Sequence, residues 1–179
     1  AFGGLGPGHL RPRAMVHGPN DSIYIGSFPE YGMRGGSLGV WDPAQDRLIE
    51  NYHPLIADQS IAALAYDEKS GMLFGGTSIY GGGGTTPTQP EAKFFVFDPQ
   101  QKKLAAEMVP YEKSQYVRAM AIVGRYVYGV ANGDDLFVYD IDKKEIVHKS
   151  SLGVGSVQDV SLGAWKDGKL YGVANKKIF

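Results

Sequence analysis

Short stretches of alternating apolar and polar residues recur along the whole chain, and their length suits β-strands rather than helices. Three of them share one order of apolar residue, any residue, Val, aromatic and Asp: Leu38-Gly39-Val40-Trp41-Asp42, Phe94-Phe95-Val96-Phe97-Asp98 and Leu136-Phe137-Val138-Tyr139-Asp140. The closing aspartate, followed by proline in the first two, predicts a turn in which the carboxylate accepts hydrogen bonds from nearby backbone N–H groups. Six residues after each aspartate comes an aliphatic side chain, Leu48, Leu104 or Ile146, that opens a further strand. Another short strand runs up to a glycine four times: Ile23-Tyr24-Ile25-Gly26, Met72-Leu73-Phe74-Gly75, Tyr126-Val127-Tyr128-Gly129 and Lys169-Leu170-Tyr171-Gly172.

The spacing makes this a repeat. From each aliphatic residue to the next glycine the separation is 27, 25 and 26 residues, whereas from each glycine to the following aspartate it is 16, 23 and 11. Nearly all variation in length therefore falls in one connection. A unit of this size holding four short strands predicts a β-propeller blade, a small antiparallel sheet that buries its faces against its neighbours. With the strands lettered a to d, the glycine closes strand b, the aspartate closes strand c and the aliphatic lies on strand d. Strand a then falls at 13–16, 61–66, 118–122 and 157–162. Polar stretches around Glu68 and Lys102 are too short for helices and read as turns.

Blade two, with Leu73-Phe74-Gly75-Gly76, a glycine-rich loop and Phe95-Val96-Phe97-Asp98-Pro99, resembles a kelch repeat, whose strand b ends in paired glycines. Blade one closes strand c with Val40-Trp41-Asp42, which resembles the dipeptide position of a WD40 blade. The kelch tryptophan of strand d is missing and no second Trp-Asp occurs. What the resemblance implies is the propeller architecture alone, because that scaffold hosts unrelated functions. The expected organisation is all-β, about three and a half four-stranded blades at approximately 11–52, 58–109, 115–152 and 157–179, the last incomplete because alignment ends it two residues into strand c. An open blade exposes unpaired backbone and apolar faces. The expectation is accordingly a segment of a seven- or eight-bladed ring, or a half-ring that pairs with a second copy.

Composition narrows the partners. With 18 basic against 19 acidic residues, no strong field attracts a polyanion, which argues against nucleic acid. No apolar run approaches the roughly 20 residues that span a bilayer, so no membrane is expected as a partner. Cysteine is absent, which excludes disulfides and thiolate metal sites and leaves the compartment open. The 25 glycines, 10 prolines and 11 tyrosines fit many short strands joined by tight turns.

In a propeller the b-to-c and d-to-a connections emerge on one face, and strand a lines the central channel. The long b-to-c loops here are 27–37 and 77–93. Candidate ligand-binding residues at that mouth are Arg11, Arg13, Asp58, Gln59, Arg118, Gln158 and Asp159 on the d-to-a side, together with Glu30, Tyr31, Arg34 and Tyr80 on the loops. Planar guanidinium groups hold carboxylates or phosphates through paired hydrogen bonds, and tyrosines offer stacking surfaces for a sugar or peptide. The competing reading is that the arginines pair with Asp58 and Asp159 and only satisfy the channel lining. The glycine run at 81–84 lacks the Gly-Lys-Ser/Thr ending of a phosphate loop, and no helix follows it. His9, His17, His53 and His148 show no spacing that makes a metal-ligand set, and no nucleophile stands beside a base, so neither a metal nor a cofactor is expected. Asn20-Asp21-Ser22 matches an N-glycosylation acceptor. The function expected is recognition of a small acidic ligand, a glycan or a protein on the loop-rich face. The alternative is a carbohydrate-active enzyme, a lyase or hydrolase working on an anionic sugar, in which an arginine neutralises a carboxylate.

Overall fold

The computed structural model describes residues 4–155 and 159–179. Their strands assemble, in chain order, into separate antiparallel meanders. The first sheet holds β1 (Arg11–His17), β2 (Ile23–Phe28), β3 (Leu38–Asp42) and β4 (Arg47–Tyr52), and the second holds β5 (Ser60–Asp67), β6 (Met72–Ser78), β7 (Phe94–Asp98) and β8 (Lys103–Met108). The third comprises β9 (Val117–Val123), β10 (Tyr126–Ala131), β11 (Asp135–Asp140) and β12 (Glu145–Ser151). The fourth has three strands, β13 (Val160–Ala164), β14 (Leu170–Ala174) and β15 (Lys177–Ile178). A single 3-10 turn, Pro19–Asp21, interrupts the all-β order among the described residues. Strand a of the fourth unit begins at Val160, and the expected start at Val157 lies outside the described residues.

The innermost strands β1, β5, β9 and β13 lie side by side in that order, so the sheets radiate from a shared centre as propeller blades. An apolar layer fills each gap. Tyr24, Leu38 and Val40 of the first blade meet Ile61, Leu73, Phe95 and Phe97 of the second. Phe74, Phe94 and Val96 meet Val127, Phe137 and Tyr139 of the third. A thinner layer of Ala119 and Val130 against Val160 and Ala174 joins the third to the fourth. Each of the fully buried phenylalanines contributes about 1.5–3 kcal/mol by leaving water; Phe95 and Phe97 lie in the first layer, and Phe74, Phe94 and Phe137 in the middle one.

The aspartate turns form as the pattern predicts. Asp42 Oδ1 accepts the N–H groups of Ala44 and Gln45 at 2.8 and 3.2 Å. Asp98 Oδ1 accepts those of Gln100 and Gln101, both at 2.9 Å, and Asp140 Oδ1 those of Asp142 and Lys143 at 3.0 and 3.2 Å. The aliphatic six residues on pairs back across the turn with the strand-c aromatic: Leu48 with Trp41, Leu104 with Phe97, Ile146 with Tyr139.

The strand-b glycines need two corrections. They do not close their strands, which run on to Phe28, Ser78, Ala131 and Ala174 because the backbone ladder with strand a continues past them. Nor do they share one register. Gly75 pairs with Phe95 and Gly129 with Phe137, but the corresponding pair in the first blade is Ile25 with Gly39. Gly26 sits one register later, opposite Leu38, where the second blade has Gly76 opposite Phe94. The physical reason is steric exchange. Where strand c supplies a phenylalanine ring, strand b must be bare, and where strand c is bare at Gly39, strand b carries the isoleucine. The paired glycines of blade two also serve different neighbours, since a β-carbon on Gly75 would strike Phe95 and one on Gly76 would strike Val117 of the third blade.

Candidate functional site

The two long b-to-c loops meet at one end of the molecule. Gly32 N–H donates to Gly83 O at 2.8 Å and Gly82 N–H to Met33 O at 2.9 Å, and Arg34 Nε donates to Thr86 O at 3.1 Å. The d-to-a connections join them there. Gly36 N–H donates to Gln59 O at 3.0 Å, the Thr88 hydroxyl to Asp58 at 2.7 Å, and the Tyr80 hydroxyl to Gln115 at 2.9 Å. Backbone and side-chain bonds thus tie the rim into one surface around the channel.

At its centre lies a cavity of about 360 Å³ that draws its lining from all four blades. Arg13 and Phe28 come from the first, Ser78 and Tyr80 from the second, Tyr116 and Arg118 from the third, and Asp159 and Ser161 from the fourth. Beneath it the channel continues between the four innermost strands, past Ala14, Ala63 and Ala119. The guanidinium of Arg13 lies 5.7 Å from the Phe28 ring centroid, and that of Arg11 lies 5.5 Å from the same ring. Arg118 stands 4.3 Å from the Tyr116 ring centroid and 3.5 Å from the carboxylate of Asp159. Stacked over Phe28, the Arg13 guanidinium keeps its edge available for planar acceptors. Among the described residues, no carboxylate lies within 4.0 Å of the Arg13 guanidinium.

Ten of the eleven residues singled out from the sequence lie among the described residues and separate into two groups. Arg13, Tyr80, Arg118 and Asp159 line the cavity, with Arg11 alongside through Phe28 and its own bond to Gly81 O at 3.1 Å. The others build the rim. Gln59 is fully buried, donating to Glu91 O at 2.7 Å and accepting the Thr77 hydroxyl. Asp58 accepts from Thr88, Arg34 donates to Thr86, and Tyr31 stands exposed beside Gly84. Glu30 accepts the Gly8 N–H at 2.9 Å; hydrogen bonds from its own backbone and from Gly8 hold its carboxyl below the ordinary carboxylate range. Gln158 lies outside the described residues. Phe28 and Tyr116, which carry the stacked arginines, escaped the sequence reading; each stands at or beside a strand end facing the channel mouth, a position the blade spacing does specify.

A second polar cluster lies on the outer side of the first blade. The buried His9 ring joins Ser27 Oγ through Nδ1 at 2.6 Å and Asn51 Oδ1 through Nε2 at 3.2 Å. Asn51 Nδ2 and the Ser37 hydroxyl both donate to Pro7 O, at 3.1 and 3.0 Å. Burial pushes the His9 pKa below its ordinary value. Ser27 has no exposed surface, so this arrangement of serine, histidine and asparagine anchors residues 7–9 to the blade rather than presenting a nucleophile.

No protein-family model matches the chain, and no curated protein matches it. Among solved structures it is similar in fold to a propeller chain in the crystal structure of the mitotic checkpoint complex, with a TM-score of 0.68 at 10% identity. The likeness covers 100% of this chain and 52% of that one, so this chain spans about half the length of its structural neighbour. At such identity the similarity establishes the fold, and the fold alone.

Proposed function

We infer that the chain is a recognition module that binds a small anionic ligand, a carboxylate or phosphate attached to a ring, at the channel mouth. The observation that carries this reading is the convergence of Arg13 and Arg118, from the first and third blades, on one cavity walled by Phe28, Tyr80 and Tyr116. A cavity of about 360 Å³ falls at the small end of ligand sites, which run from about 300 to 1,000 Å³. The Arg13 guanidinium edge supplies the charge-assisted bonds, Arg118 adds positive charge and the rings supply an apolar wall, a combination suited to an acidic sugar or an aromatic acid. Asp159 beside Arg118 adds an acceptor for a ligand hydroxyl.

Calorimetric titration of the chain with glucuronate, galacturonate, citrate, benzoate and inorganic phosphate tests the reading. Arg13→Ala is expected to weaken the best ligand at least about tenfold, the equivalent of one charge-assisted hydrogen bond at about 1.4 kcal/mol per decade. Absence of binding across the panel, or equal affinity in the variant, rules it out.

A further inference from the structure

Each of the first three blades turns the same kind of face towards its successor. Phe74, just before Gly75, and Phe94, just before Phe95, are buried against the third blade, and Val130, just after Gly129, is buried against the fourth. The fourth blade repeats these positions with Tyr171 before Gly172, Val173 after it and Ile178 before Phe179. There the side chains are open: Tyr171 is 40% exposed, Val173 51% and Ile178 76%, with Trp165 beside them at 61%. They line a shallow, mostly apolar basin of about 530 Å³. A sheet face of this chemistry is stable in water only at a cost; the same positions are buried at Tyr24 and Leu38 in the first blade and Phe74 and Phe94 in the second, and half-buried at Tyr128 and Leu136 in the third.

The receiving side of a blade is equally regular. Leu64, Gly75 and Phe95 lie in register across the second blade, and Met120, Gly129 and Phe137 across the third. In the fourth, Leu162 pairs with Gly172, which exchanges backbone hydrogen bonds with Phe179 at 2.8 and 2.9 Å. The first blade breaks the rule with Met15, Ile25 and Gly39, and His9 fills the space over Gly39, where a β-carbon would stand 2.9 Å from its ring. A second copy of the chain therefore offers a receiving side already occupied by its own residues 7–9.

We propose that the outer face of the fourth blade is a docking surface for a further propeller blade, one presenting an aliphatic side chain on its inner strand, glycine on the second and an aromatic ring opposite that glycine. It would continue the contact already made three times within the chain. The structural likeness reaches across only 52% of a longer propeller chain, so an arc of this curvature accommodates more blades.

Trp165 reads the surface directly, because the chain's other tryptophan, Trp41, is 9% exposed. Acrylamide quenching and sedimentation are compared for the 179-residue chain and for the same chain extended after Phe179 by copies of its residues 138–152 and 53–109, which keep the full connection between outer and inner strands. That addition finishes the fourth sheet and appends the Leu64, Gly75 and Phe95 receiving side. The unextended chain is expected to sediment as a monomer with Trp165 quenched readily. In the extended chain quenching should fall several-fold, and Val173→Asp, placed in the same basin with Trp165 retained, should restore it and lower the unfolding midpoint there alone. An extension that gains strand signal in circular dichroism yet leaves Trp165 open overturns the proposal. So does an extension that gains no strand signal, since a blade of the stated chemistry is then not received. A concentration-dependent dimer of the unextended chain that shields Trp165 makes a second copy the occupant and equally overturns it.

Discussion

The ring of Phe95 occupies the space over Gly75 on the neighbouring strand, where a β-carbon would stand 1.9 Å from Cζ of the ring. The same relation recurs at Gly129 with Phe137 and at Gly172 with Phe179, both at 2.2 Å. Each pair places a large side chain in the layer between blades without widening the sheet, because one strand yields the volume that the other fills. The repeat is thus a repeat of paired volumes as much as of residues.

Gly75→Ala should cost about 1–3 kcal/mol, the range for overpacking a filled core. Phe95→Ala alone should cost about 3–5 kcal/mol through the cavity it leaves. Combined, the two should cost clearly less than their sum, because the added methyl then enters the vacated space. Urea denaturation of the four proteins measures the coupling, and strict additivity would contradict the steric account.

Asp140 combines a turn and an ion pair. Its buried carboxylate accepts two backbone N–H groups and lies 3.1 Å from Arg125 Nη2. Asp140→Ala should lower stability by about 1–3 kcal/mol, through loss of two turn bonds to a charged acceptor and of the partner of Arg125. Asp98→Ala removes a similar turn at a more exposed site and should cost less, a ranking that thermal unfolding of the two variants checks.

The buried His9 makes stability depend on pH with a definite sign. Its pKa in the folded chain lies below the ordinary 6.5, so between the two values the unfolded chain binds a proton that the folded one refuses. Stability from this group is complete above about pH 7 and declines as pH falls through 6.5 towards the folded value, by at most about 1.4 kcal/mol per pH unit. His9→Gln should flatten that part of the profile. Chemical denaturation at closely spaced pH values resolves it, and an unchanged slope in the variant would assign the effect to another group.

Gln59 and Arg13 should separate folding from binding. Gln59→Leu leaves the Thr77 hydroxyl and the Glu91 carbonyl without their buried partner and should cost about 1–3 kcal/mol. The fraction that remains folded should keep its affinity for the anionic ligand. Arg13→Ala, on an exposed inner-strand position, should do the reverse. Paired unfolding and titration curves distinguish them.

Much of the architecture was legible because its signals are local. The Asp42, Asp98 and Asp140 turns depend on residues within three positions, and the aliphatic that follows each is fixed by the turn's length. Gly26 misled because a glycine in a strand records only that volume is missing, whereas the partner that needs the room, Phe95 in one blade and no ring at all in another, lies across the sheet. The candidate site was legible to the level of the rim. Arg13 and Arg118 follow from strand a facing the channel, but whether Gln59 faces a ligand or the interior depends on Thr77 and Glu91, 18 and 32 residues away.

The lacing of the rim bears on how such a surface could diversify. Its cross-loop bonds at Gly32, Met33, Gly82 and Gly83 run between main-chain atoms, and only Gly82 is pinned by size, since a β-carbon there would lie 1.7 Å from Glu30 O. Neighbouring positions such as Tyr31 and Thr86 can accordingly change identity while the frame holds its shape. The mouth is built to be re-lined, one chemistry exchanged for another, without refolding the scaffold beneath it.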